Sequence, residues 1–128
     1  MNLNTDGAKP IYIQISEWLE TEILNGNFGY DEKVFSQYQL AEMFNINPAT
    51  AAKGLTKLVE EEILYKKRGL GMFVAGGARE AILEKRKDQT LRRLVEEIVA
   101  EAKHLNISEE EVIRMIREVN QKGEGEEK

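Results

Sequence analysis

Cysteine is absent from the 128 residues, which excludes a disulfide framework and any cysteine-ligated metal site. Histidine occurs once, as His104 near a predicted helix end, where a surface or helix-end role suits it better than catalysis or metal binding. No apolar run approaches the ~18 residues of a membrane span. The amino-terminal MNLNTDGAKP lacks the apolar segment of a secretory signal, so the cytoplasm is the expected location. Catalytic patterns are missing as well. The glycine-rich GLGMF joins strand-type residues and does not lead into a helix, so it is no phosphate loop. The carboxylates Glu109–Glu111 sit at a predicted helix start, where negative charge suits the dipole. Neither an enzyme, a cofactor nor a metal site is expected.

What is present is a soluble, one-domain-sized chain, 41% hydrophobic and 32% charged, with a net charge of -5. The charge is unevenly spread. Residues 1–32 hold one lysine against six acids, and residues 96–128 hold five bases against ten acids. Between them, residues 33–74 carry six bases against four acids, and residues 79–93 six against three. A basic middle between acidic ends hints at an anionic partner for the middle.

Periodicity supplies the elements. PIYIQISEWLETEILNGNF repeats apolar residues at helical spacing, with Pro10 suited to the first turn and Gly26 to the position past the end. Ser36 followed by Gln39 forms a capping-box pattern that starts a short second helix. Asn47 and Pro48 are a cap and a first-turn residue for a third helix, from Pro48 to about Glu61. Two short helices joined by a tight turn make a helix-turn-helix. The period then changes. Ile63–Tyr65 and Met72–Val74 flank a Lys66-Lys67-Arg68-Gly69-Leu70-Gly71 reversal, a β-hairpin with a basic tip, to which Lys33–Phe35 is a candidate third strand. Gly76-Gly77 reads as a joint. Residues 78–105 follow as one long helix whose first part is nearly all polar and projects or packs lightly. Ser108 and Glu111 start a last helix ending near Gln121, with Val112, Ile113, Met115, Ile116 and Val119 on its apolar side.

At about 100° per residue, Ala51, Ala52, Leu55, Leu58 and Val59 of the third helix gather on one side, between about 180° and 300° from Ala49. Thr50, Lys53 and Lys57 fall between about 40° and 100°, opposite that stripe, flanked by Ala49 and Glu60. A helix fits the DNA major groove, where such groups reach phosphates and base edges, and Ala49 is small enough for close approach to a thymine methyl. The Lys66-Lys67-Arg68 tip would lie beside a groove and hold phosphate or enter the minor groove.

Three stretches resemble the DNA-binding domain of GntR-type bacterial transcription regulators. PIYIQISEWLETEILNGNF is similar to its first helix, LAEMFNINPATAAKGLTKLVEEEIL to its helix-turn-helix, and KRGLGMFVA to its wing. Asn47-Pro48-Ala49-Thr50 and the short helical carboxy-terminal part look most like the YtrA-like subfamily, whose members have a small two-helix dimerisation region. The resemblance implies a dimeric operator-binding regulator, most often a repressor and often of transporter operons. It carries the DNA-contact role onto Ser36, Tyr38, Pro48, Ala49, Thr50 and Lys53, and in the wing onto Lys67, Arg68, Gly69 and Gly71; the helical wheel adds Lys57. Two positions depart from the pattern. Phe35 stands where the family usually has proline, and Tyr38 where it usually has a basic residue, which implies an operator unlike the family norm.

The resulting fold class is mainly α with a small β-wing: a winged helix-turn-helix domain over 1–76, a helical dimerisation region over 77–122 and a disordered tail over 123–128. The apolar row Leu91, Leu94, Val95, Ile98, Ala102 and Leu105, with Val112 and Ile116 of the last helix, needs a partner surface, so a homodimer matching a palindromic operator is expected. About 50 residues in two helices leave little room for a small-molecule pocket of ordinary size. No effector is identified, and an inducer would bind between domains or subunits. The competing reading is a winged-helix protein-interaction module without DNA binding, favoured by Tyr38, the acidic net charge and the thin basic strip. Membrane association through residues 78–95 is disfavoured because the first half lacks an apolar face.

Overall fold

The computed structural model describes residues 3–4 and 9–126, the last three by their backbone alone. They fall into two compact units, one ending at Glu84 and the other starting at Lys85.

The first unit opens with α1, Ile11–Leu24. Pro10 stands just outside it as the N-cap, and its carbonyl accepts the N–H groups of Ile13 and Gln14 at 3.2 Å. Gly26, at φ +82°, ends the helix in the left-handed conformation that glycine adopts without penalty. Helix α2, Gln37–Phe44, has the expected capping box: the Gln39 N–H donates to Ser36 Oγ, and the Ser36 N–H to Gln39 Oε1. Asn45, at φ 54°, terminates it. Three residues later α3, Pro48–Glu60, begins, with Asn47 Oδ1 accepting the Ala49 N–H at 2.7 Å. Helices α2 and α3 and their turn are the helix-turn-helix.

Strand β1, Leu64–Lys67, pairs antiparallel with β2, Gly71–Val74, in the register Leu64↔Val74, Tyr65↔Phe73, Lys66↔Met72 and Lys67↔Gly71. The expected third strand amounts to one isolated bridge, Lys33↔Phe73, beside backbone bonds from the Asp31 N–H to Val74 O and from the Val34 N–H to Met72 O. The segment is confined between Asp31, at φ 65°, and the cap of α2 at Ser36, which leaves it little length to pair.

Ile15, Leu19, Leu40, Leu58, Ile63, Leu64 and Ile82 are fully buried and make the core of this unit. Each such side chain contributes about 1.5–3 kcal/mol. Phe35 joins an aromatic group: its ring lies 5.3 Å from that of Phe28, at 90°, and 6.1 Å from that of Trp18. Stacking on the core gives this residue a packing role where the family resemblance leads one to expect proline.

Helix α4, Ala78–Lys85, corrects the expectation that this stretch projects or packs lightly. Ala78 and Ile82, four apart on one face, are buried in the core, and Arg79 Nη1 donates to the Leu24 carbonyl at 2.5 Å. The first unit therefore continues past Gly76-Gly77. Ala78 and Ile82, with Ala81 packed beside them, dock a helix whose remaining positions are polar apart from the exposed Leu83.

The second unit comprises a π-helical stretch, Arg86–Leu91, then α5, Arg92–His104, and α6, Glu109–Glu126. The expected uninterrupted α-helix over 78–105 is thus broken by a wider turn, in which the Arg92 N–H bonds to the Lys87 carbonyl five residues back. The Glu111 N–H donates to Ser108 Oγ at 3.2 Å at the start of α6. That helix runs to Glu126, five residues beyond the expected end near Gln121, so residues 123–126 of the expected disordered tail are helical; residues 127–128 lie outside those described. Among the described residues, no helix is long and apolar enough to cross a membrane.

Candidate nucleic-acid interface

The outward face of α3 is set by how closely the helix meets α1. A Cβ on Gly54 would lie 2.9 Å from the Tyr12 carbonyl and 3.1 Å from Ile15 Cγ2, so only glycine allows this approach. Ser16 Oγ bonds the Gly54 carbonyl at 2.8 Å. With Ala51, Gly54, Leu55 and Leu58 buried, the opposite side shows Ala49, Lys53, Thr56 and Glu60 to solvent. The expected strip is therefore rotated. Lys53 is exposed, but Thr50 and Lys57 lie half-buried on the flank, as do Ala52 and Val59 on the other side of the stripe. Thr56, not expected from the sequence, sits in the middle of the exposed row. The difference lies at Gly54: a residue without a side chain does not register as core, yet it extends the buried face toward Thr50 and Lys57.

The two lysines of α3 are both engaged. Lys53 Nζ stands 4.1 Å from the centroid of the Tyr12 ring, and Lys57 Nζ pairs with Glu61 at 3.0 Å. Tyr12, Lys53, Thr56, Lys57, Glu60 and Glu61 together border a shallow depression of about 350 Å³. The amino-terminal half of α3 thus presents small and cationic groups, while at its last turn Glu60 is exposed and Lys57 is paired with Glu61. Pro48 and Ala49 are exposed at the start of the helix, where close approach to a groove is least obstructed. Tyr38, in the first turn of α2, is 70% exposed and carries a hydroxyl with no charge. Ser36 is half-buried, its hydroxyl accepting the Gln39 N–H.

In the wing, Lys66, Arg68, Gly69 and Leu70 are exposed. Lys67 is not equivalent to its neighbours. Its Nζ lies 3.2 Å from Asp31 Oδ1 and 4.2 Å from the Phe73 ring centroid. Gly69, at φ +78°, makes the reversal possible. Gly71, at φ +118°, needs glycine for its backbone conformation; Lys33 Cε, 2.9 Å from the missing Cβ, belongs to the flexible end of an exposed side chain. Leu70, placed in this reversal by the sequence, is apolar and exposed at the tip. The donors of this unit suit phosphate oxygens and base edges. Among the described residues, no group of three His, Cys, Asp or Glu side chains is placed to hold a metal ion.

In the second unit, α5 and α6 border an apolar groove of about 640 Å³, larger than two short helices led one to expect. Ile98, Ala102, Leu105, Val112 and Ile116 line it, joined by Ile107, Met115 and Val119. Of the expected dimerisation residues, Ala102 and Val112 are half-buried; Leu91, Leu94, Val95, Ile98, Leu105 and Ile116 are exposed, Leu91 within the π-helical stretch. Val99 extends the exposed row.

No protein-family model matches the chain. It is 39% identical over 84 residues to the HTH-type transcriptional repressor NagR of Bacillus subtilis, a match covering 66% of this chain and 35% of that protein, so the chain spans about a third of NagR's length. It is 23% identical over 120 residues to the repressor YtrA of the same organism, covering 94% of this chain and 92% of YtrA. Among solved structures, a GntR-family transcriptional regulator from Bacteroides thetaiotaomicron is 32% identical, with a TM-score of 0.75 over 88% of this chain and 98% of that one. The DNA-binding domain of AraR in complex with operator ORE1 is 30% identical, with a TM-score of 0.52 over 58% of this chain and 90% of that one. With identity of this order carried over nearly the whole length of the Bacteroides protein, in the same arrangement of elements, this chain belongs to the GntR family of transcription regulators.

Proposed function

We propose that the protein is a sequence-specific DNA-binding regulator of the short YtrA-like kind, a repressor that binds a palindromic operator as a homodimer in the cytoplasm. The observation that carries this reading is the exposed row Ala49, Lys53 and Thr56 on a capped helix held against α1 through its opposite face. AraR, whose DNA-binding domain is solved on operator DNA, supports it. The amino-terminal half of α3 enters the major groove; Tyr38, Thr50 and Lys53 reach phosphates or base edges, and Arg68 holds the backbone beside the wing. The apolar face of α5 and α6 meets its copy in a second subunit, so that two reading heads match a DNA twofold. The relatives are regulators, and a donor set of this kind binds without requiring chemistry.

The test is binding of the DNA upstream of the protein's own gene, followed at increasing salt. Log K falls with log salt in proportion to the phosphates neutralised. Lys53→Ala and Arg68→Ala each reduce the slope by about one unit. A slope unmoved by either variant sinks the assignment of these side chains. A second reading, a protein-interaction module, is favoured by one observation: Glu61 and Asp31 occupy the ammonium groups of Lys57 and Lys67. It predicts no salt-dependent duplex binding at all.

A further inference from the structure

We propose that Asp31 withholds Lys67 from DNA and so sets the strength and salt dependence of the wing's hold on phosphate; this rests on the DNA-binding reading above. Asp31 adopts φ 65°, a left-handed backbone unfavourable for a residue with a side chain. Its conformation is over-determined by the sheet edge. The Asp31 N–H donates to Val74 O at 2.9 Å, the Val74 N–H donates to Glu32 O at 3.0 Å, and Lys33 bridges to Phe73. The carboxylate is therefore carried by the edge of β2.

Lys67 is its target by register. Tyr65, Lys67 and Phe73 share one face of the hairpin, and Lys67 lies opposite Gly71, whose vacant Cβ position is taken up by the end of the Lys33 side chain. The ammonium group rests 3.2 Å from Asp31 Oδ1, 4.2 Å from the Phe73 centroid and 5.6 Å from the Tyr65 centroid. Lys66 and Arg68 on either side are exposed. Of the three consecutive cations Lys66, Lys67 and Arg68, the middle one is paired within the protein, and Lys33 lies beside it across Gly71. A phosphate that takes Lys67 must displace Asp31 and leave that carboxylate facing the duplex. The pair is partly exposed, 36% and 47%, and such pairs are weak, so the latch moderates binding without abolishing it.

The experiment measures binding of the full chain to a short labelled duplex of mixed sequence across a KCl series, because the phosphate contribution does not depend on sequence. Asp31→Asn removes the charge and keeps a residue that tolerates left-handed backbone; Asp31→Gly serves if the first variant folds poorly. Both are expected to bind about two- to fivefold more tightly, with a salt slope steeper by about 0.9, the value of one added phosphate contact. The added slope should largely vanish when Lys67→Met is also present. Unchanged or weaker binding by both Asp31 variants overturns the proposal, because Asp31 then only braces the wing. An equal gain with Lys67→Met present overturns it too, because the effect is then a general field. Wild-type protein that ignores duplex DNA at every salt concentration defeats the DNA-binding reading itself, a result distinct from either of these.

Discussion

The Ser16 hydroxyl donates to the Gly54 carbonyl across 2.8 Å, linking α1 to the middle of α3. At the same crossing a Cβ on Gly54 would come within 2.9 Å of the Tyr12 carbonyl. Gly54→Ala gains about 1 kcal/mol of helix propensity but forces two backbones apart. The net expectation is a loss of about 1–2 kcal/mol, read from the midpoint of urea unfolding. Ser16→Ala should cost about 1 kcal/mol by the same measurement. A Gly54→Ala variant as stable as wild type would mean the helices cross less closely.

On the proposed reading, in which Lys53 contacts DNA, Tyr12 bears on binding through it. The ammonium group lies 4.1 Å from the ring centroid, which anchors a long side chain that would otherwise sample many rotamers in water. Tyr12→Phe keeps the ring and should leave duplex affinity unchanged. Tyr12→Leu removes it and should weaken binding by about 0.5–1 kcal/mol, measured by fluorescence anisotropy. Equal losses in the two variants would assign the effect to the hydroxyl instead.

Both helices of the helix-turn-helix depend on side-chain caps, Ser36 on α2 and Asn47 on α3. Ser36→Ala and Asn47→Ala should each destabilise the fold by about 1 kcal/mol. For a unit of this size that lowers the melting temperature by about 4–8 °C, measured by circular dichroism. Asn47→Gly should recover most of the loss, since glycine also suits an N-cap.

The exposed apolar face of the second unit predicts self-association. Ile98 and Ile116 line the groove between α5 and α6 and are 44% and 56% exposed. Burying such side chains yields about 1.5–3 kcal/mol each, so a charge introduced there opposes assembly directly. Light scattering should report a dimer for wild type and a monomer for Ile98→Asp and Ile116→Asp. Dimers that persist in both variants would place the interface elsewhere.

The helices, their caps and the hairpin were legible because each depends on residues close in sequence. Ser36 and Gln39 satisfy one another three positions apart, Asn47 caps two positions on, and Gly69 permits a local reversal. Residues that act through distant partners were misjudged. Ala81, Ile82 and Leu83 form a short apolar group before a long polar run, yet only Ile82 of the three is fully buried in the core. Lys57 and Lys67 read as free cations, yet sit on Glu61 and Asp31. The Lys57–Glu61 pair was within reach at helical spacing; the Lys67–Asp31 pair was not.

From its order of amino acids alone, this chain determines which segments are helical, where the capped ones start, and that a basic hairpin follows a short capped helix. Local hydrogen bonding and apolar periodicity decide those matters within a few residues. Tertiary structure decided which side of α3 faces outward, because the close crossing at Gly54 rotates the buried stripe away from where the larger apolar side chains alone place it. It also decided which cations remain available, because an ion pair between residues 36 positions apart exists only once β2 has brought the Asp31 loop beside β1.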